Sequence, residues 1–214
     1  MGKILKRLKE DDIGAIGIGA LIVFIAMVLV AGIAASVIVQ TANNLQIRAM
    51  ETGQETIAEV STGLYVVSID GHVANSKVDN MVIMVKLRAG SIDIDLNKTV
   101  VEISDASKKC ILFQGTNFSI GTSGNGTFNE SVFGVNGSEF GIIKVIDADG
   151  SCTYDSPVLN RGDCAMIAIN ATNCFNGLDE RDGIWGKIIP EEGAPAVFSF
   201  RVPASLVDTV HRLY

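Results

Sequence analysis

The chain has 214 residues, a formal net charge of −7 and a sequence pI of about 4.8. This acidic balance argues against a nucleic-acid-binding protein, because phosphate contacts need clustered lysines and arginines. The length accommodates one long helix and one globular domain of roughly 150 residues, which is large enough to bury a core of its own.

The first forty residues consist of a short charged leader and a long apolar segment. The leader MGKILKRLKEDDIG is followed by AIGIGALIVFIAMVLVAGIAASVIV, which runs from Ala15 to Val39. No charged residue lies between Asp12 and Arg48. Because a membrane span needs about 20 apolar residues, this segment is long enough to cross a bilayer.

The residues alone leave three interpretations of this segment open. It can be a permanent single-pass anchor. It can be a secretory signal peptide cleaved near residues 31–35, although its apolar stretch exceeds the usual length of about 7–15 residues and signal peptides rarely carry acids before that stretch. It can also be cleaved between Gly14 and Ala15, which keeps the whole apolar segment in the mature protein. We favour this third interpretation.

The pattern predicts a helix from about residue 15 to residue 60, rising roughly 65–70 Å at 1.5 Å per residue. Its first part is apolar on every face, so it must be surrounded by lipid or by other helices. Small residues at four-residue spacing favour close helix packing. These pairs are Ala31 with Ala35 and Gly32 with Ser36. The C-terminal part of the helix is mixed, with Arg48, Glu51, Glu55 and Glu59 facing solvent.

From about residue 62 onward the apolar residues alternate with a period of two, which predicts short strands separated by Gly, Asn, Asp and Ser turns. Regularly spaced short strands favour an antiparallel β-sandwich or barrel. The fold class is therefore α+β, a long N-terminal apolar helix followed by that β-domain. The predicted strands are Leu64–Ile69, Met81–Ala89, Ile92–Leu96, Thr99–Ile103, Cys110–Phe113, Phe140–Ile146, Ala165–Ile169, Ile184–Ile189 and Val197–Val202.

The run GAIGIGALIVFIAMVLVA, from Gly14 to Ala31, resembles the N-terminus of archaeal flagellins (archaellins). The similarity covers about residues 9–46 and carries over weakly to the rest of the chain. The related bacterial type IV pilins typically have glutamate as the fifth mature residue, and Gly19 holds that position here. This departure favours the archaellin branch.

The resemblance implies a structural subunit of the archaeal flagellum (archaellum) filament, polymerised for swimming. It implies that a prepilin-peptidase-like enzyme removes leader residues 1–14, that residues 15–60 form the filament core and that residues 61–214 form an outer β-rich domain. The expected partners are identical or paralogous archaellins, the processing enzyme, a motor and assembly platform, and the cytoplasmic membrane, which holds the precursor. The expected location of the filament is extracellular, with no nucleic-acid partner.

The region Thr116–Phe140 is rich in Gly, Ser, Thr and Asn and is predicted to be a long exposed loop or irregular hairpin. It carries four N-x-S/T patterns, and two more lie outside it. Such a triplet marks a glycosylation acceptor in an exported protein, and archaellins are commonly N-glycosylated. The candidate acceptors are Asn97, Asn117, Asn125, Asn129, Asn136 and Asn170.

The cysteines form no C-x-x-C motif and the histidines His72 and His211 lie far apart, so a zinc site is not indicated. An even number of cysteines in an exported domain favours at least one disulfide, and four cysteines allow three pairings. The candidates are Cys110, Cys152, Cys164 and Cys174.

No cofactor is required by any motif, but two acidic clusters are candidate sites for a structural divalent cation, since calcium prefers several hard oxygens. Asp93 and Asp95 lie in SIDID, and Asp147 and Asp149 in IDADG. Neither segment has the spacing of an EF-hand loop. A solvated acidic surface is the simpler interpretation of both.

The sequence contains no nucleophile elbow, phosphate-binding loop, H-E-x-x-H or dinucleotide fingerprint, so we expect no enzyme. Two alternatives to a swimming filament stay open. One is an adhesion-pilus subunit built in the same way. The other is a β-domain protein that stays anchored in the membrane and is never cleaved.

Overall fold

A computed structural model of the chain describes residues 2–121, 126–129, 131–133 and 136–214, with the side chains of residues 2–15 left outside the description. It divides into two compact units, residues 1–54 and residues 55–214. The described residues of the first unit are all helical, and the second unit contains the end of the same helix and the β-domain.

Helix α1 spans Gly2–Ser61. The sequence has no proline before Pro157, so nothing in this segment removes a backbone donor or fixes φ against the helix. The main-chain N–H of Thr62 still donates to the Ala58 carbonyl at 2.8 Å. The chain then turns into the first strand at Leu64, so the helix continues one residue beyond its predicted end.

In its described residues the β-domain contains eleven strands and one short second helix, α2 (Ala171–Phe175). The strands are β1 (Leu64–Ala74), β2 (Lys77–Leu87), β3 (Ile94–Asp95), β4 (Val100–Ser104), β5 (Lys109–Ile120), β6 (Glu139–Ile146), β7 (Val158–Leu159), β8 (Cys164–Asn170), β9 (Gly183–Ile189), β10 (Ala196–Arg201) and β11 (Val210–Arg212).

Nine strands form one sheet in the order β10-β9-β4-β5-β6-β8-β2-β1-β11, and β3 pairs with β7 separately. Strand β5 joins the two halves of the large sheet. Its first residues pair with β4, and its later residues pair with β6. The β5–β6 pair is parallel, whereas the other strand pairs described are antiparallel.

The beginning of β1 and the approach to β10 are tied together, which curls the sheet toward a barrel. Gly63 and Ala194 form an isolated parallel bridge, and the Ala194 N–H donates to the Thr62 carbonyl at 2.9 Å. A Cβ on Gly63 would lie 2.9 Å from the Ala194 carbonyl oxygen. Gly193 has a φ of 96°, a conformation that favours glycine. These two glycines therefore permit the close approach.

The main core fills the inside of this curled sheet and includes the fully buried Leu64, Ile83 and Phe140. A second, smaller cluster lies on the other face of β2, β8 and β6, because neighbouring strand residues point to opposite faces. Val132 and Phe133, from a short 3₁₀ turn at Ser131–Phe133, cover this second face.

Two sequence predictions need correction. The predicted strand Ile92–Leu96 is reduced to β3, because Asp95 accepts a hydrogen bond from the Asn97 N–H and starts a 3₁₀ turn at Leu96–Lys98. The predicted loop Thr116–Phe140 is wrong in its first part, where β5 continues to Ile120. Strand β6 pairs in parallel with that extension and provides partners for its backbone hydrogen bonds. The polar sequence of the extension does not indicate this pairing.

Candidate functional sites: the apolar helix, the sequons and the acidic cluster

The apolar part of α1 has no covering within the described chain. Every large apolar side chain from Ile16 to Val39 is exposed, including Phe24 at 68%. Leaving such a side chain in water costs about 1.5–3 kcal/mol relative to burying it. A helix of this kind needs lipid or other helices around it.

The glycines of this segment are not required by packing against other parts of the same chain. A Cβ placed on Gly17, Gly19 or Gly32 would meet nothing within 4 Å. By length and composition, α1 is one helix that can cross a membrane, over Ile16–Ser61. The predicted processing residues Gly14 and Ala15 lie within α1, and their side chains fall outside the description.

The six candidate acceptor asparagines lie in different environments. Asn97, Asn129 and Asn136 are exposed, whereas Asn117, on β5, and Asn170 are half-buried. Asn125 lies outside the described residues. Three of the described candidates are therefore exposed to solvent, whereas two lie in β-strands and are half-buried.

The Asn170 side chain makes two hydrogen bonds that stabilise the fold. Its Oδ1 accepts a hydrogen bond from the Asn173 N–H at 3.0 Å, so it caps the start of α2. Its Nδ2 donates to the Phe133 carbonyl at 3.0 Å. A glycan would have to be attached to that same Nδ2 atom.

Cys110, on β5, and Cys174, on α2, form a disulfide with their Cα atoms 5.9 Å apart. The bond closes a stretch of chain with a sequence separation of 64. The other two candidates, Cys152 and Cys164, are free buried thiols. Burial raises the pKa of Cys152 to about 11, and burial also raises the pKa of Cys164. Both thiols therefore stay protonated and unreactive at neutral pH.

Three carboxylates converge where the chain leaves β6 and enters β8. One oxygen from each of Asp147, Asp149 and Asp163 lies within 4.8 Å of the others. The sequence prediction contained the first two. It missed Asp163, which lies in the turn before β8 and approaches only because β6 and β8 are neighbours. Asp93 and Asp95 do not join a cluster of three such ligands among the described residues.

Hydrogen bonds already organise this cluster. Asp163, at 2% exposed, accepts from the main-chain N–H groups of Ala148 at 3.2 Å and Asn160 at 3.1 Å. The Lys144 ammonium lies 2.9 Å from Asp147 Oδ2, and this hydrogen bond lowers the pKa of Asp147 and raises that of Lys144. One of the three acids is therefore paired with a lysine of the chain, and the other two accept hydrogen bonds from their surroundings.

Comparison with known proteins identifies the family. The family model for archaeal-type flagellin matches residues 14–200. The chain belongs to the archaeal-type flagellins. This flagellin is 43% identical to Flagellin B2 of Methanocaldococcus jannaschii over 210 residues, which covers 97% of this chain and 96% of that relative. It is 38% identical to Flagellin B3 of Methanococcus voltae, covering 97% of this chain and 98% of that relative.

Solved structures of flagellins have the same fold. The crystal structure of archaeal flagellin FlaB1 from Methanocaldococcus jannaschii matches with a TM-score of 0.60 and 26% identity, covering 71% of this chain and 96% of that chain. The archaeal flagellum of Methanospirillum hungatei matches in fold, with a TM-score of 0.62 and 17% identity, covering 91% of this chain and 98% of that chain.

The predicted resemblance and the predicted α+β fold class are thereby confirmed. This flagellin is a structural subunit of the archaeal flagellum filament, and its family is not a family of enzymes. The exposed apolar helix is the feature of the chain that such an assembly requires.

Proposed function

We propose that this flagellin is made as a membrane-held precursor, loses residues 1–14 and polymerises through α1 into a filament that drives swimming. The exposed apolar surface from Ile16 to Val39 is the observation that carries the proposal. In lipid that surface is solvated by acyl chains, and in a bundle of identical helices it is solvated by its neighbours. Transfer from one to the other therefore need not expose the helix to water.

The charge pattern supports an orientation for the precursor. Lys3, Lys6, Arg7 and Lys9 precede the apolar segment. Lysines and arginines beside a span favour the cytoplasmic side of a membrane. The β-domain then lies outside the cell membrane, where a disulfide such as Cys110–Cys174 can form and persist.

We place the processing cut between Gly14 and Ala15, performed by a prepilin-peptidase-like enzyme. The family model begins its match at residue 14, beside this bond. Removal of residues 1–14 takes away four basic and three acidic side chains, so that no charged side chain remains before Arg48 and the apolar helix packs without burying one. A motor and an assembly platform supply energy and torque from other proteins.

Mass spectrometry of sheared cell-surface material tests this proposal. We expect intact filaments whose subunits begin at Ala15. A Gly14→Leu variant should accumulate as unassembled precursor, and a Gly14→Ala variant is the matched control. Recovery of the protein only in membranes, still carrying its leader, would instead support an anchored β-domain. Processed filaments that support attachment but no swimming would identify an adhesion pilus.

We also propose that the outer domain is N-glycosylated at exposed sequons. Asn97, Asn129 and Asn136 present their side chains at the surface, which is what a transferred glycan needs. Glycopeptide masses from the same sheared material identify the occupied asparagines.

A structural divalent cation is a further proposal for the Asp147, Asp149 and Asp163 cluster. Calcium–oxygen distances are about 2.4 Å, so two ligands on opposite sides of one ion lie about 4.8 Å apart, and the three carboxylates meet that limit. Calcium should raise the unfolding midpoint of wild-type filaments but not of an Asp149→Asn variant. An equal response from both proteins would exclude the cluster as the binding site.

A further inference from the structure

A cleft of about 560 Å³ with a cationic lining opens at the end of β2. Lys86, Arg88 and Arg161 line it, together with Tyr65. None of these three cations forms an ion pair with another residue in the described part of the chain. Asp163 also borders the cleft, but it is buried and its carboxylate accepts main-chain hydrogen bonds. The cleft therefore presents unpaired positive charge on an acidic protein.

The cleft lies where the β-domain receives the end of α1. The Arg88 N–H donates to the Gly63 carbonyl at 2.9 Å, and Arg88 Nε donates to the Leu64 carbonyl at 3.2 Å. Ser91 Oγ accepts from the Gly63 N–H at 3.2 Å. Gly63 follows the last helical residue, Ser61, by two positions. These bonds fix the cationic wall at this end of the domain.

The last part of α1 carries the opposite charge. Glu51, Glu55 and Glu59 follow one another at four-residue spacing, which places them along one side of a helix over about 12 Å. All three are exposed, and none forms an ion pair among the described residues. Arg48 is the only base between residues 15 and 61, so this segment has a net charge of −2.

We propose that the cationic cleft of one subunit binds the acidic row Glu51, Glu55 and Glu59 on α1 of a second copy of the chain in the filament. This inference rests on polymerisation through α1. A bundle of identical helices brings rows of like charge together, and α1 itself holds too few cations to neutralise them. The cleft supplies three cations, two of them arginines, which bind carboxylates with two parallel hydrogen bonds.

The contact is heterologous, since it joins a cleft on one copy to a helix on another. A contact of this kind extends into a helical polymer when its rotation does not close a ring. Its charge pairing also fixes the register of each added subunit, which an apolar helix surface alone specifies weakly. Charge complementarity therefore determines the position at which each added subunit binds in the filament.

Charge reversal in cells that make filaments from this chain tests the inference. We expect Arg161→Glu to lower the amount of subunit in sheared filaments by about tenfold, and Glu55→Lys to do the same, because like charges then meet across the contact. In both variants the N-terminus should still be Ala15 and the Cys110–Cys174 disulfide should still form. The chain carrying both reversals should recover most of the wild-type yield.

Lys108→Glu is the matched control, because it makes the same charge change at the exposed turn between β4 and β5. Its filament yield should equal that of the wild type. If Arg161→Glu also assembled like the wild type, the cleft would have no role in the contact. If both single variants failed and the double reversal gave no recovery, the acidic row would not be the occupant.

A crosslink distinguishes a contact between copies from a contact within one copy. One chain carries Arg161→Cys, a second chain carries Glu55→Cys, and both are expressed together and treated with a bifunctional maleimide. We expect a covalent dimer in filaments and none when either variant is expressed alone. Absence of the dimer in mixed filaments overturns the inference, whereas failure of wild-type chains to form filaments would instead count against the proposed assembly.

Discussion

The Asn170 side-chain amide donates to the Phe133 main-chain carbonyl at 3.0 Å and so joins the start of α2 to the turn that covers the second face of the sheet. This bond holds Phe133 over Val82 and Ala168. An asparagine that matches a glycosylation pattern is therefore engaged in packing. Sequence patterns alone cannot distinguish these two uses of one residue.

We predict that Asn170→Ala lowers the free energy of unfolding by about 1–2 kcal/mol, since it removes a helix cap and a side-chain hydrogen bond. It should leave the glycan mass of the protein unchanged. Asn136→Gln is the control and should alter glycan mass without a comparable loss of stability. Calorimetry and intact-mass measurement on the same filament samples provide both readouts. A glycopeptide centred on Asn170 would contradict this prediction.

The Cys110–Cys174 disulfide should contribute about 4 kcal/mol of stability, because it closes a loop with a sequence separation of 64 in the unfolded chain. We expect reductant to lower the unfolding midpoint of the wild type. The double variant Cys110→Ser/Cys174→Ser should unfold at that lower midpoint with or without reductant. A midpoint in the wild type that is insensitive to full reduction would show that the bond contributes little.

Gly32→Leu should leave the subunit folded and prevent filament formation. A side chain at this position meets nothing within 4 Å inside the chain, and leucine favours helix more than glycine by about 1 kcal/mol. In a bundle, however, leucine separates helices that a small residue lets approach closely. Gly32→Ala is the control and should still assemble. The measurement is the filament yield of each variant after shearing. Normal filaments from Gly32→Leu would show that this position lies outside the contacts between helices.

Asp105 should make stability sensitive to acid. Burial acts to raise the pKa of its carboxyl, but the N–H groups of Lys108 and Ser107 donate hydrogen bonds to it and hold the pKa below its ordinary value. A carboxyl with a lowered folded pKa contributes stability above its unfolded pKa of about 4 and loses it as the pH falls through the folded value. An Asp105→Asn variant should lose less stability than the wild type as the pH falls below about 4. Unfolding midpoints across that range test this, and parallel curves would contradict it.

The sequence was sufficient to predict the long helix and most strands, for a physical reason. An uninterrupted apolar stretch without proline has few alternatives to a helix, and eight of the nine predicted strands lie largely within strands of the structure. Strands β7 and β11 have only two and three residues, which is too short for a period to show. Helix α2 has only five residues, and it is capped by Asn170 at its start and by the left-handed Asn176 at its end.

The candidate sites depended more on topology than on local sequence. Asp163 reaches Asp147 because β6 and β8 are neighbours, and Cys110 reaches Cys174 because α2 follows β8. Four cysteines permit three pairings, and nothing in their spacing chooses between them. The acceptor patterns are visible in the sequence, whereas the hydrogen bond from Asn170 to Phe133 joins residues 37 positions apart and exists only in the folded chain.

The curled sheet also limits how these subunits can associate. Its terminal strands are β10, which lies between Pro195 and Pro203, and the three-residue β11. The isolated Gly63–Ala194 bridge joins the approach to β10 to the start of β1, which is the neighbour of β11 in the sheet. Long unpaired strand edges are templates for strand addition and amyloid-like growth, and prolines and short edges suppress them. Many identical β-domains can therefore lie side by side along one filament without pairing their strands. The filament then grows through contacts of α1 and not through addition of strands.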